Sequence, residues 1–345
     1  LVNNLRKKGK FDIHVLGNEN ANCTIQPEKV YQLNDAGWYD QMPSAGILFC
    51  SVFGSNFRTL AKELARGLER RYKANPGQEL NLITCENFMD AASILRTMVL
   101  QCLEDEVKGW LAQKIGFSES MVLRTCLGPE EWQDPLAIRV QNYFELPCDR
   151  EAMKGTIPDI CGLKPLENFQ NQLRRKIFTY NCINAVITYL GARKDYTYLS
   201  EAGRDPDIVV MARQAAVESS DAQIAAFGFD REEQYEWVEA ALTKFADIHI
   251  PDPISRNGAD PARKLGREDR LIGPALLATK HHIKPEGLME GILAAFEFQD
   301  EKSGTRIADR ITAEGIEAVL EDICSLVPAE PLYDMLRKEY HVRWP

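Results

Sequence analysis

Hydrophobic positions in the first 157 residues come in short runs separated by amphipathic stretches. FDIHVLG (11–17), ILFCSVFG (47–54) and NLITCEN (81–87) are compact apolar segments flanked by turn formers, a pattern that predicts buried strands. Between the last two, FRTLAKELARGLERRYK (57–73) repeats apolar residues every three or four positions, which predicts a helix with one buried face. Strands alternating with helices predict βαβ units and a parallel sheet, whose ligands gather at the carboxyl ends of strands. Those ends fall at residues 51–54 and 85–87. The opening LVNNLRKKGK reads as the end of a helix.

After Pro158 the texture changes. LENFQNQLRRKIFTYN, IVVMARQAAVESSDAQIAAFG, YEWVEAALTKF and GLMEGILAAFEF all carry apolar residues at helical spacing, with few strand signals. The expectation is an α/β domain over 1–157 and a mainly α-helical domain over 158–345, with the cleft between them as the default ligand site. KIFTYNCINAVITYLG (176–191) stands out within the second part. Leu166, Phe169, Leu173, Ile177, Tyr180 and Ile187 share one helical face, with Asn184 at its centre and Lys176 and Asn181 at its two edges, an arc of about 140°. Three polar groups on or beside a buried stripe need partners. Either they converge on a ligand, or Lys176 snorkels to solvent while the asparagines bond to loops. Spacing alone leaves both open.

A hydrophobic content of 45% with 27% charged residues suits a globular protein, and 345 residues suit two cores. The net charge of -10 repels phosphate backbones and anionic lipid, which argues against nucleic-acid and membrane partners. No apolar run approaches the roughly 20 residues that span a bilayer. Nine cysteines without a CxxC pair read as reduced thiols in a cytoplasmic protein. Cys85 and Cys182 read as small buried hydrophobes rather than nucleophiles. GxSxG, P-loop and HExxH patterns are absent, and the His281–His282 pair lacks a carboxylate at ligand spacing, so no metal is assigned. Against the acidic background, SRNGADPARKLGREDR (255–270) concentrates Arg256, Arg263, Lys264, Arg267 and Arg270. Such a segment can hold a phosphate or carboxylate, or can form a solvated loop with ion pairs to Glu268 and Asp269.

CEN at 85–87, KIFTYN at 176–181 and the following AVITYLG resemble the polyol-specific long-chain dehydrogenases and reductases, and the resemblance continues through RKLGREDRLIGP (263–274) and GLMEGILAAFEF (287–298). It implies a Rossmann-like first domain, a helical substrate domain and an oxidoreductase that moves hydride between NAD and a sugar alcohol or sugar-alcohol phosphate. The same residues leave open an unphosphorylated polyol, a hexuronate, or a non-catalytic sugar-phosphate binder. By resemblance, Lys176 is the acid/base for the hydroxyl proton, and Asn181 and Asn87 are amide donors to the reacting oxygen. Arg256, Arg263 and Lys264 then hold the substrate, and Ser51, Val52, Gly54 and Asn87 lie beside the nicotinamide.

Two positions depart from that pattern. The family has a histidine eight residues after the lysine, whereas this chain has Asn184, which can orient a hydroxyl but cannot titrate. No GxGxxG follows an N-terminal strand, which predicts that the first βαβ unit is missing from this chain.

Overall fold

In the computed structural model, which describes residues 1–301 and 303–344, the chain forms two units, Leu1–Leu173 and Arg174–Pro345. The first runs α1 (Val2–Lys8), β1 (Phe11–Leu16), β2 (Cys23–Ile25), α2 (Ala36–Gln41), β3 (Ile47–Cys50), α3 (Phe57–Ala74), β4 (Leu80–Thr84), α4 (Ala91–Cys102), α5 (Asp105–Lys114) and β5 (Ile115–Glu119). It continues through β6 (Cys126–Leu127), β7 (Ile138–Gln141), β8 (Leu146–Asp149) and β9 (Leu163–Leu166).

β4 is the middle strand of a parallel sheet, β3-β4-β5, with every residue of β4 and β5 buried, and its polar Asn81 is met by the backbone of Lys154. Its helical cover is α3, whose Phe57, Leu60, Ala61, Leu64, Ala65 and Leu68 form one buried stripe packed with α4. Arg71 on the same helix is buried and donates to the carbonyls of Met42, Ala45, Gln78 and Glu79, tying the end of α2 to the turn before β4. Among the described residues β3 pairs only with β4, and its Phe49 is half exposed.

The strand at 11–16 does not join that sheet. β1 pairs in parallel with β7 and antiparallel with β2, while β6 flanks β7. Asp12 and His14 alternate with apolar residues along it and only Val15 is fully buried, so β1 suits a mixed sheet rather than a strand covered on both sides. Leu166 also departs from expectation, because it closes β9 against β8 and is not helical. Pro165 favours extended backbone before it, and Asn168 takes a left-handed φ of 52°, so the helix starts only after both. The units part within this helix, α6 (Phe169–Lys176), later than the expected 157/158 division. The β8-β9 pair and a 3.0 Å bond from Gln170 to Glu119 hold the intervening residues to the first unit.

The second unit is built around α7 (Cys182–Arg193), followed by α8 (Leu199–Ala202), α9 (Pro206–Phe227), α10 (Arg231–Phe245), α11 (Ile254–Gly258), α12 (Pro261–Lys264), α13 (Ile272–Lys280) and α14 (Glu286–Glu297). A short antiparallel pair, β10 (Gln299–Asp300) and β11 (Thr305–Arg306), leads to α15 (Ile307–Glu314), α16 (Ile316–Asp322) and α17 (Pro331–Arg343). α7 is buried nearly all round, with α9, α11 and α14 against it. Small residues permit that crowding: Ala212, Ala215, Ala216, Ser219 and Ser220 line α9, and Gly291 on α14 meets Val186. Asp205 caps α9 through the amides of Asp207 and Ile208, with Pro206 in the first turn and Gly228 closing the other end in a left-handed conformation. Among the described residues no helix is long and apolar enough to cross a membrane.

Gly287 marks a tight helix crossing of α14 on α9, where an added Cβ would stand 2.6 Å from the backbone nitrogen of Ala215. Gly287→Ala is expected to destabilise the protein by about 1–3 kcal/mol in urea unfolding. Gly109→Ala, in α5 with open space around it, is expected to be neutral or stabilising by up to about 1 kcal/mol. Equal effects of the two would contradict the packing account.

Candidate active site

Lys176 ends α6, and the next five residues, Ile177–Asn181, form a π turn before α7 resumes. The amide of Cys182 reaches back to the carbonyl of Ile177, five residues earlier, as well as to Thr179. Regular helical geometry at 100° per residue separates Lys176 from Asn181 by about 140°. An i→i+5 turn holds more residues per turn, so it brings positions five apart nearer to one face of the helix. π turns concentrate at functional sites, and here the turn spans the interval between the two candidate groups.

Lys176 does not snorkel: it is 4% exposed. Burial pushes its ammonium well below the ordinary lysine value. The positive charges of Arg270, Lys244 and Arg263 push the same way, against the pull of Asp269. Asn181 is 7% exposed, and among the described residues its Nδ2 has no hydrogen-bond partner. A buried N–H₂ left unmet costs on the order of 1–3 kcal/mol, which a ligand oxygen would recover. Asn184 is differently placed. Its Nδ2 donates to Oδ1 of Asn257 on α11 at 3.1 Å, so its amide already has a protein partner.

The basic segment folds into α11, α12 and the turn beyond, and its residues have different fates. Lys264 is buried and donates to the carbonyl of Asn257, with its ammonium 5.9 Å from the ring of Tyr189, whose hydroxyl donates to the Gly258 carbonyl at 3.0 Å. Burial, with Arg270 and Arg263 nearby, pushes Lys264 down to about 7. Asn184, Asn257 and Lys264 thereby form one hydrogen-bonded series. Arg263 is half exposed and paired with Asp260 and Asp269, and Arg256 is half exposed and paired with Asp252 at 2.7 Å. Arg267 reaches Glu330 and not its sequence neighbour Glu268.

Two cations absent from the preferred set belong to the same electrostatic neighbourhood. Arg270 is buried beside Asp269 and acts on Lys176, Lys264 and Tyr189. Lys244 on α10 acts on Lys176 and is itself lowered by burial to about 8. Arg270 was visible as one of five basic residues in a short segment. Nothing in YEWVEAALTKF distinguished Lys244 from a surface lysine.

In the first unit, the carboxyl ends of β3 and β4 carry the remaining candidates. Buried Glu86 accepts from the amides of Val52 and Phe53 at 2.9 and 3.0 Å, and Asn56 donates to the Val52 carbonyl at 2.6 Å. The backbone groups of Val52 are therefore engaged, and only its side chain is available. Phe53 takes a left-handed φ of 62° and holds its ring 79% exposed. Such a conformation is strained for a residue with a Cβ and recurs at ligand-facing loops. An added Cβ at Gly54 would lie 2.9 Å from the Phe88 ring, so glycine there serves packing of the loop. Ser51 and Asn87 are exposed at the same strand ends. These strand ends thus expose an apolar ring, a hydroxyl and a carboxamide, groups chemically suited to a ligand at the end of a parallel sheet. Sequence reasoning missed Phe53 and Glu86; the acid in CEN was a signal for the second, whereas a left-handed phenylalanine leaves none.

Comparison with known proteins supplies the family. A profile for the mannitol dehydrogenase Rossmann domain matches residues 1–162, and one for the mannitol dehydrogenase C-terminal domain matches residues 168–330. Mannitol-1-phosphate 5-dehydrogenase of Bacillus velezensis is 31% identical over 320 residues, covering 92% of this chain and 82% of that protein. The enzyme of the same name from Bacillus pumilus is 28% identical over 345 residues, covering 98% and 90%. Among solved structures, Pseudomonas fluorescens mannitol 2-dehydrogenase in ternary complex with NAD and D-mannitol superposes with a TM-score of 0.77 at 14% identity, covering 98% of this chain and 81% of that one. A substrate-free D-sorbitol dehydrogenase gives 0.75 at 12% identity, covering 99% and 84%. The two structures share the fold, and the profiles and relatives, which follow the chain in order through both units, show that it belongs to the mannitol dehydrogenase family.

Proposed function

We propose that this chain is an NAD-dependent oxidoreductase that interconverts a sugar-alcohol phosphate and a ketose phosphate, of the mannitol 1-phosphate to fructose 6-phosphate type. The observation that carries the reading is a buried lysine separated by one π turn from a buried, unpartnered amide N–H₂, among further cations. The relatives' activity as mannitol-1-phosphate 5-dehydrogenases supports the phosphorylated substrate, and the NAD complex of the Pseudomonas enzyme supports the cofactor. Reading the nine cysteines as reduced thiols supports a cytoplasmic location.

When bound, nicotinamide supplies the hydride acceptor for alcohol oxidation or the donor for ketone reduction. Ser51, Phe53, Gly54, Asn87 and the side chain of Val52 are the residues proposed to lie beside it. The chain's own groups manage the oxygen. Neutral Lys176 takes the hydroxyl proton as carbon loses hydride, and Nδ2 of Asn181 donates to the oxygen as negative charge develops on it. Asn87 is the further amide donor that the family resemblance assigns. Asn184, which has no titratable proton, serves by fixing Asn257 and through it Lys264. Lys264, Arg263, Arg270 and Arg256 are proposed to hold the phosphate. A dianion compensates buried cations more fully than a carboxylate or a neutral polyol does.

Turnover of mannitol 1-phosphate with NAD is expected to exceed that of mannitol or hexuronates by about 100-fold in kcat/KM. Equal turnover would reject the phosphate assignment. Lys176→Ala is expected to lower kcat by at least about 100-fold with an unchanged circular dichroism spectrum. Because the base is the neutral amine, oxidation in the parent enzyme should fall on the acid side of a depressed lysine value, and reduction, which needs the ammonium, should fall on the alkaline side. Near-parental rates in Lys176→Ala would remove it from the mechanism.

Lys264→Met is expected to raise KM for the phosphorylated substrate about 10- to 100-fold. It also changes the pH dependence of stability. Below about 7 the ligand-free folded state bears the full cost of protonating Lys264, and above the ordinary lysine range neither folded nor unfolded chain is charged there. The stability advantage of Lys264→Met over the parent should therefore shrink as pH rises from 7 toward 10, by up to about 1.4 kcal/mol per unit. A pH-independent difference in urea unfolding would contradict the buried-cation account.

A further inference from the structure

A π turn displaces backbone hydrogen bonds and leaves carbonyls to be met from elsewhere. In an uninterrupted α-helix the amide of Cys182 would close on the carbonyl of Phe178; here it is committed to Ile177 and Thr179. The Phe178 carbonyl is met by the hydroxyl of Ser219, which reaches from α9 and donates at 2.7 Å. Beside it, the Thr179 hydroxyl accepts from Nε2 of Gln223 on α9 at 3.2 Å and from Nε2 of Gln234 on α10 at 2.9 Å. Gln223 also donates to Ser219, and Gln234 to Ser220. Oε1 of Gln234 accepts from Arg175, the residue before Lys176, whose guanidinium lies over the rings of Phe229 and Trp237.

Thr179, Ser219, Ser220, Gln223 and Gln234 have no exposed surface. Alanine or leucine at such positions would satisfy helix packing without the desolvation cost of five polar side chains. The hydrogen bonds of these groups converge on the two residues inside the π turn and on the residue before Lys176. No packing requirement accounts for that convergence, whereas the need to hold a turn of unfavourable register does.

We infer that Ser219 is a positioning residue for the proposed reaction: by taking the Phe178 carbonyl it holds the π turn in place and keeps Lys176 and Asn181 nearer to one face of the helix. Gln223 and Gln234 support it by fixing Thr179. The inference rests on the reading of Lys176 as the acid/base. With the hydroxyl removed, the segment is free to return to α register, which carries Asn181 about 140° away from Lys176. The charged groups acting on Lys176, namely Arg270, Lys244, Arg263 and Asp269, are untouched by substitution at 219.

The test compares the parent with Ser219→Ala and Ser219→Cys, which keeps the volume but donates weakly. Amide hydrogen exchange over residues 177–184, steady-state kinetics and the pH profile of kcat are measured on the full chain. Ser219→Ala should exchange faster across this segment and lose about 10- to 100-fold in kcat with KM within about threefold, and the midpoint of its oxidation profile should move. Ser219→Cys should be intermediate, and it provides the same readouts if Ser219→Ala does not fold. Parental exchange, or faster exchange with parental kcat and pH profile, would overturn the inference, as would a loss of kcat with an unmoved profile. If Lys176→Ala retains full rate, the acid/base reading falls, and the positioning role for Ser219 falls with it; the exchange readout still decides separately whether Ser219 holds the turn.

Discussion

A lysine amine can be enclosed in a helical core only if its charge is given up or matched, because transfer of an unmatched ammonium out of water costs several kcal/mol. Lys176 is enclosed, and the groups around it are mostly positive. Its surroundings therefore favour the neutral amine, which is the form able to accept a proton from an alcohol. Burial lowers Lys264 and Lys244 as well, with Arg270 and Arg263 adding to the effect on Lys264, and such buried cations suit the region to an anion. One constraint, the burial of cations in a helical core, thus shapes both the proposed base and the proposed affinity for its substrate.

The fold meets that constraint by enclosing α7 on nearly all sides and then interrupting its approach with a π turn. Alanines and serines on α9, and glycines on α14, allow the close packing that excludes water from Lys176 and Asn181. Glu218 on α9 accepts from the amides of Gly287 and Leu288, so the crossing that keeps the core closed is also satisfied at the start of α14. Packing, register and electrostatics in this region are consequences of one another. An error in any of them would return Lys176 to an ordinary ionisation.

Much of this was legible in the residues, and the exceptions have physical reasons. The strands at 47–50 and 80–84 and the helix at 57–74 follow from runs and periods that local physics dictates. Lys176, Asn181 and Asn184 could be marked because polar side chains beside a buried stripe need partners. Their grouping at 100° per residue was nevertheless inaccurate: the π turn depends on Ser219, Gln223 and Gln234, which lie 40 or more residues away in the chain. Leu166 was assigned to the helix because it fits the period, but its pairing with Asp149 of β8, a distant contact, makes it a strand residue. Lys244 and the left-handed Phe53 gave no local signal, since both depend on tertiary surroundings. In the basic segment, composition revealed the cluster but not the division between buried Lys264 and Arg270 and the half-exposed, ion-paired Arg256 and Arg263.

The central claim is that burial holds the ionisation of Lys176 well below that of an ordinary lysine. Direct titration of its Nζ by heteronuclear NMR, on protein labelled at lysine side chains with the resonance assigned by its loss in a Lys176 variant, measures that property without reference to turnover. The account predicts a midpoint well below the ordinary lysine value of about 10.4. A resonance that titrates at that ordinary value would contradict it.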